Sequence, residues 1–236
     1  MLPESNSSNF PFDPIQNSIK VIGEEDGVFN NQDYILFYAK GQDHYNVESN
    51  TNINLYSEET YYLINISAGL GNRVTQMIEP EGQEDHLINT FQDYKFHEVD
   101  NYNIAKIGRR WFGERFDFNN NRDFEFNFNN IITSIPVKLK VYTAAASEVP
   151  TSMSVSVNNN QIDNFNFQSI NDPILARQDY YDDEVSVTGD NININLNYNN
   201  NGNPSSYAYL DYISIEATCD LSFNNSQLLF LSLIHI

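Results

Sequence analysis

Apolar and polar residues alternate with a period of two through most of the second half of this chain. Phe124, Phe126 and Phe128 form one set. Val137, Leu139 and Val141 follow, then Met153, Val155 and Val157, then Ile192, Ile194 and Leu196. The residues between them are mostly Asn, Ser, Lys and Glu, so each segment reads as a strand with one buried and one wet face. That is the pattern of antiparallel sheets packed on one side. Residues 158–160 and 199–202 supply hairpin turns, where Asn and Gly accept positive φ. Residues 207–217 close the set, and the even spacing predicts a jelly-roll-like antiparallel β-sandwich.

The first half is less regular. Residues 19–22, 34–39, 61–66, 74–78 and 91–99 read as strands separated by turn-rich loops, with 34–39 buried. Residues 1–14 read as a loop, 79–85 as an acidic loop and 101–107 as a short helix. The texture changes at NNNR, residues 119–122. The expected organisation is therefore all-β with two β domains, residues 1–118 and 119–222.

Composition narrows the partners. The 236 residues carry 32 acids against 12 bases, a net charge of −20. Such a field repels phosphate backbones and anionic lipid, which argues against nucleic acid as a ligand. Aromatics at 14% argue against disorder. No apolar run approaches the roughly 18 residues of a membrane-spanning helix. No signal peptide is visible either.

Candidate chemistry is sparse. Asp26, Asn30 and Asp33 offer hard oxygens to calcium, but their spacing does not match an EF-hand loop. The expected role is a self-bonded turn before a strand, and no metal or cofactor is assigned. The single cysteine, Cys219, excludes an internal disulfide and a CxxC site. It follows a predicted strand beside Asp220, whose charge disfavours a thiolate. His44, His86, His97 and His235 stand in no context that would make one its partner, so no catalytic residue is assigned. His86 and His97 are eleven residues apart in partly loop sequence, poor spacing for a metal pair. Asn6, Asn65 and Asn224 start N-x-S sequons that carry no weight here.

Gly108, Arg109, Arg110, Trp111, Phe112, Gly113 and Glu114, with Arg115 and Phe116, concentrate three of the twelve basic residues beside large aromatics. Arginine over an aromatic face and arginine forked on a carboxylate both suit a docking surface. The competing role is a plug, with Trp111 buried in a seam between the two domains. Tyr207, Tyr209, Asp211 and Tyr212 on the closing strand resemble the aromatic-and-acid sets with which sandwiches hold sugars. The competing role there is packing and local pairing.

Several of these stretches together carry a resemblance. EEDGVFNNQDYILFYAKG at residues 24–41, MLPES at 1–5, GRRWFGERF at 108–116, YLDYISIEA at 209–217 and SQLLF at 226–230 come in one order along nearly the whole chain. In that order they resemble the N-terminal region of the PorU family, gingipain-like (C25) sortases of the type IX secretion system of Bacteroidetes. The resemblance implies an exported, outer-membrane-associated cysteine endopeptidase and transpeptidase. Such an enzyme removes the C-terminal secretion signal of cargo and joins the cargo to cell-surface lipopolysaccharide. It further implies that the catalytic His and Cys lie in a caspase-like domain further along the chain. Residues 223–230 would then begin the linker to that missing domain, and Met1 would be internal. Residues 231–236, LSLIHI, are similar to a translated sequencing-library adapter. The partners implied are the caspase-like domain, type IX secretion components and cargo. The alternative is a carbohydrate-binding or adhesion sandwich of a bacterial surface protein.

Overall fold

A computed structural model describes residues 15–39, 41, 43, 45–46, 50–54, 59–66, 69–75, 88–106 and 110–222. The chain forms two compact units, Met1–Asp85 and His86–Ile236. Among the described residues, eleven strands and one short 3-10 turn make up the regular structure, with no α-helix.

In the first unit β1 (Ile19–Ile22) pairs antiparallel with β2 (Tyr34–Phe37), Ile19 opposite Phe37 and Ile22 opposite Tyr34. A 3-10 turn over Glu24–Asp26 connects them, flanked by Gly23 and Gly27, both at positive φ. Arg73 forks onto Glu24 through Nε and Nη2, with the shortest contact 2.7 Å, and Val74 donates its N–H to Ile19 O. β2 was expected to be buried, yet Tyr34 to Phe37 are 42–51% exposed. A two-stranded ribbon presents both faces, and in the described residues nothing covers either one fully. Residues 61–66 form no ladder, and neither do Val74 and Thr75. Residues 1–14, 76–87 and 223–236 lie outside the described residues, so the expectations for them rest on sequence.

The second unit is an antiparallel β-sandwich. One sheet has the order β5 (Asn121–Asn127), β10 (Asn191–Asn199), β7 (Thr151–Val157), β8 (Asn160–Phe167). The other has the order β3 (Thr90–Glu98), β11 (Tyr207–Asp220), β6 (Val137–Ala146), β9 (Arg177–Val185), with β4 (Arg115–Phe116) also on β11. The chain crosses repeatedly between sheets, as in a jelly roll. The alternating sets meet in one core of Phe124, Phe126, Phe128, Val137, Leu139, Val141, Met153, Val155, Val157, Ile192, Ile194 and Leu196, joined by Phe165, Phe167 and the inner side of β11. Asn158 and Asn159 both adopt positive φ in the two-residue loop between β7 and β8, as a primed hairpin turn requires.

The boundary differs from the one expected at residues 119–122. β3 pairs with β11 from Glu98↔Tyr212 to Thr90↔Asp220, so residues 90–118 belong to the sandwich unit and the chain divides at Asp85/His86. NNNR is instead a connection inside that unit, between β4 and β5. The expected helix at 101–107 is also absent from its described residues. Tyr102 bridges to Phe112, and Lys106 N–H bonds Asn103 O in a tight reversal.

Two edge strands carry a specific device. Asp179 accepts the backbone N–H of Tyr180 on β9 and of Asn166 on β8. Asp183 accepts that of Glu184, and Asp163 that of Asn164. Aspartates thus cap the backbone along neighbouring borders of both sheets.

Candidate functional site

The chemistry-bearing residues of the second unit converge on the first half of β11. Its outer border is shared by two partners. β3 takes Tyr212 to Asp220, and β4 takes Ala208 and Tyr209. Between them the register against β6 slips at Leu210/Tyr212, a β-bulge that leaves Asp211 without an opposite residue. A bulge re-aims a side chain and bends its strand, and here it turns an acid out of an apolar run.

The segment before β4 straps this bulge. Gly113 N–H donates to Leu210 O at 2.7 Å, and Leu210 N–H donates to Glu114 O at 3.0 Å. Gly113 is needed for the approach, since a Cβ there would lie 2.7 Å from Val99 O. Phe112 is 4% exposed and packs on Tyr209, with ring centroids 6.0 Å apart. Tyr209 also meets Tyr102 at 5.6 Å. Arg110 lies over the Phe112 ring and donates to Asp211 Oδ2 at 2.7 Å. Arg115 sits over both Tyr102 and Tyr207 and donates to Asp117. Arg122 lies over Phe116. Among the described residues, the guanidinium groups of Arg110 and Arg115 in the strap and of Arg122 on β5 therefore all lie over aromatic rings.

Trp111 departs from the buried plug that the sequence suggested. It is 38% exposed, and its neighbour Phe112 is the buried anchor. Alternation along an extended segment places adjacent residues on opposite sides, so only one of the two aromatics enters. Gly108 and Arg109 lie outside the described residues.

Electrostatics at the bulge are unbalanced. Burial pushes the Asp211 carboxyl up to about 6; Arg110 offsets part of that and Glu98 adds to it. Burial, with the charges of Glu98 and Asp211, raises Asp100 to about 7. The charges of Glu98, Asp100 and Asp211 thus bear on one another, and Arg110 offsets part of the cost at Asp211. On the opposite side of β3, Glu114 meets His97 Nε2 at 2.7 Å. Burial opposes its ionisation, but the bonds from His97 and its own backbone outweigh that and hold its pKa below the usual value.

The other candidates are placed as follows. Asp26 Oδ1 accepts Val28 N–H, Asn30 Oδ1 accepts Gln32 N–H, and Asp33 Oδ2 accepts Asn30 N–H. All three side chains are engaged by their own loop. Cys219 is buried in the core, and burial, then Asp93 and Asp190, raise its thiol to about 11. His97 bonds Glu114, and residues 44, 86 and 235 lie outside the described residues. Tyr212 is fully buried, and Tyr209 and Asp211 are held by the strap. Sequence reasoning missed the Arg110–Asp211 pair. The available signal was an acid alone in the run from Tyr207 to Ile215, since a buried charge requires a partner.

Fold and site together define a jelly-roll-like β-sandwich whose last strand is strapped by an arginine–aromatic segment. No known family model and no curated protein sequence matches the chain. Among solved structures, dimeric latent PorU from Porphyromonas gingivalis is similar over 95% of this chain, with a TM-score of 0.67 and 20% identity. This chain spans 21% of that protein's length. The CBM36-1 domain of a multidomain xylanase from the hindgut metagenome of Trinervitermes trinervoides is similar over 52% of this chain and 96% of its own, with a TM-score of 0.35 and 12% identity.

Proposed function

We propose that this chain is the non-catalytic N-terminal region of a PorU-type sortase, serving as scaffold or docking region for a caspase-like domain that follows it. One observation carries the reading. Two of the segments that resemble that family, GRRWFGERF and YLDYISIEA, are physical partners through their described residues. They meet through Gly113–Leu210, Glu114–Leu210, Arg110–Asp211 and the ladder of Arg115 on Tyr209. The similarity in fold over 95% of the chain supports the same reading.

On this reading the intact protein is a surface-associated cysteine endopeptidase and transpeptidase acting on type IX cargo. Among the described residues the chain supplies no Cys–His dyad. A nucleophile and a base must sit within hydrogen-bond reach of one another, whereas Cys219 is a high-pKa core thiol and His97 is engaged by Glu114.

The test has two arms. The gene is extended downstream of residue 230, with a caspase-like domain carrying His-Gly and Cys expected. The purified chain is then assayed against a cargo C-terminal signal peptide, with no cleavage expected. A gene lacking that domain, or thiol-dependent cleavage abolished by Cys219→Ala, refutes the reading.

A further inference from the structure

Three tyrosines stack in a row across the outer face of the five-membered sheet. Tyr212 on β11 lies opposite Tyr142 on β6, which lies opposite Tyr180 on β9. Centroids are 4.9 Å apart at both steps, with interplanar angles of 15° and 6°. The inner ring is fully buried and the outermost, Tyr180, is 57% exposed. An exposed tyrosine ordinarily samples several rotamers. This one is held by a ring behind it, and its backbone N–H is fixed by Asp179.

The surroundings of that ring are polar. In a strand, residues two apart share a face, so Gln178 and Asp182 flank Tyr180 on the same side. Both are exposed, and Lys140 on β6 reaches Asp182 Oδ2 at 3.5 Å. The set combines one rigid aromatic plane with an amide, a carboxylate and an ammonium, so hydroxyls find both donors and acceptors.

We propose that Tyr180, Gln178 and Asp182 form a subsite for a neutral saccharide, one pyranose ring stacking on Tyr180. The C–H face of a pyranose is apolar and fits the ring face, while its equatorial hydroxyls project to the flanking amide and carboxylate. The apolar area amounts to one ring, far below the roughly 1,200 Å² that a stable protein partner buries. The acidic excess of the chain, with Asp179, Asp183 and Glu184 on the same strand, repels anionic sugars. The subsite would serve a sortase region or an adhesion module equally, so its test is separate from the peptidase assay.

Affinity electrophoresis of the full chain through gels containing soluble xylan, mixed-linkage β-glucan or galactomannan reads the association. At least one of these is expected to retard the parent chain. Tyr180→Ala should weaken that retardation at least about tenfold, the loss of one stacking partner. Tyr180→Phe should keep most of it, and Tyr94→Ala, on the same sheet face, should leave it unchanged. Gln178→Ala, an exposed change that spares the stack, should weaken it without altering thermal unfolding. Free mobility in all three gels overturns the proposal. So does equal retardation of the parent and Tyr180→Ala, or retardation by dextran sulfate alone.

Discussion

Adding one methyl group at Gly113 should loosen the strap and little else. The Cβ of an alanine there would meet Val99 O at 2.7 Å and Val99 Cβ at 3.3 Å. The near atom is backbone carbonyl, which no rotamer change relieves, so the strap must lift from β3. Overpacking of this kind costs about 1–3 kcal/mol. Lifting also stretches the Gly113–Leu210 hydrogen bond, worth about 0.5–1.5 kcal/mol. The two overlap, since strain is relieved as the bond lengthens, and a net loss of about 2 kcal/mol is expected. For a unit of this size each 1 kcal/mol moves the melting temperature by about 2–4 °C, so Gly113→Ala should melt about 4–8 °C lower. The chain contains one tryptophan, Trp111, two residues from the change. Its emission therefore reports the strap directly and should shift to longer wavelength before unfolding. A variant with the parent's melting temperature and emission would refute the close approach of Gly113 to Val99.

Phe112→Ala should cost about 3–5 kcal/mol, the range for a fully buried aromatic, whereas Trp111→Ala should cost clearly less; parallel thermal melts rank the two. Asp100 has its pKa raised to about 7 by burial and by its acidic neighbours. The folded form therefore holds its proton more tightly than the unfolded chain does. Its contribution to stability is fully present below the ordinary carboxyl range near pH 4 and is lost as pH rises toward 7. Asp100→Asn should accordingly raise the melting temperature at pH 7.5 and flatten its fall between pH 4 and 7. Cys219 should resist a thiol reagent such as DTNB in the native chain at pH 8 and react fully in denaturant, given its burial and a thiol pushed up to about 11.

The sandwich was legible where period-2 alternation is strong. The sets at Phe124, Val137, Met153 and Ile192 all lie in the core. β8 was not, because it slips. A bulge between Val155 and Ser156 places Asp163 and then Gln161 opposite them. Ile162 is thus out of step with Phe165 and Phe167, which breaks the alternation within NQIDNFNF. β9 carries no clear alternation in its sequence, since Asp179, Asp182, Asp183 and Glu184 interrupt its apolar positions. The boundary was misplaced for a different reason. β3 finds its partner more than a hundred residues later on β11, and no local pattern reports a pairing at that distance. At the candidate site the residue types were legible, Arg beside aromatic. Which aromatic enters was not, because that depends on the strand register set by Gly113 and the bulge at Asp211.

The aspartates along β8 and β9 give the acidic excess of the chain a second meaning. An uncovered strand border is a template on which another copy can grow. Here Asp163, Asp179 and Asp183 occupy the amides at Tyr180, Glu184, Asn164 and Asn166 with their own oxygens. Those amides are therefore already satisfied and offer an incoming strand fewer free donors. Part of the net charge of −20 therefore acts at hydrogen-bond range, as a coat that keeps a chain rich in aromatics and β-strands from recruiting its own kind.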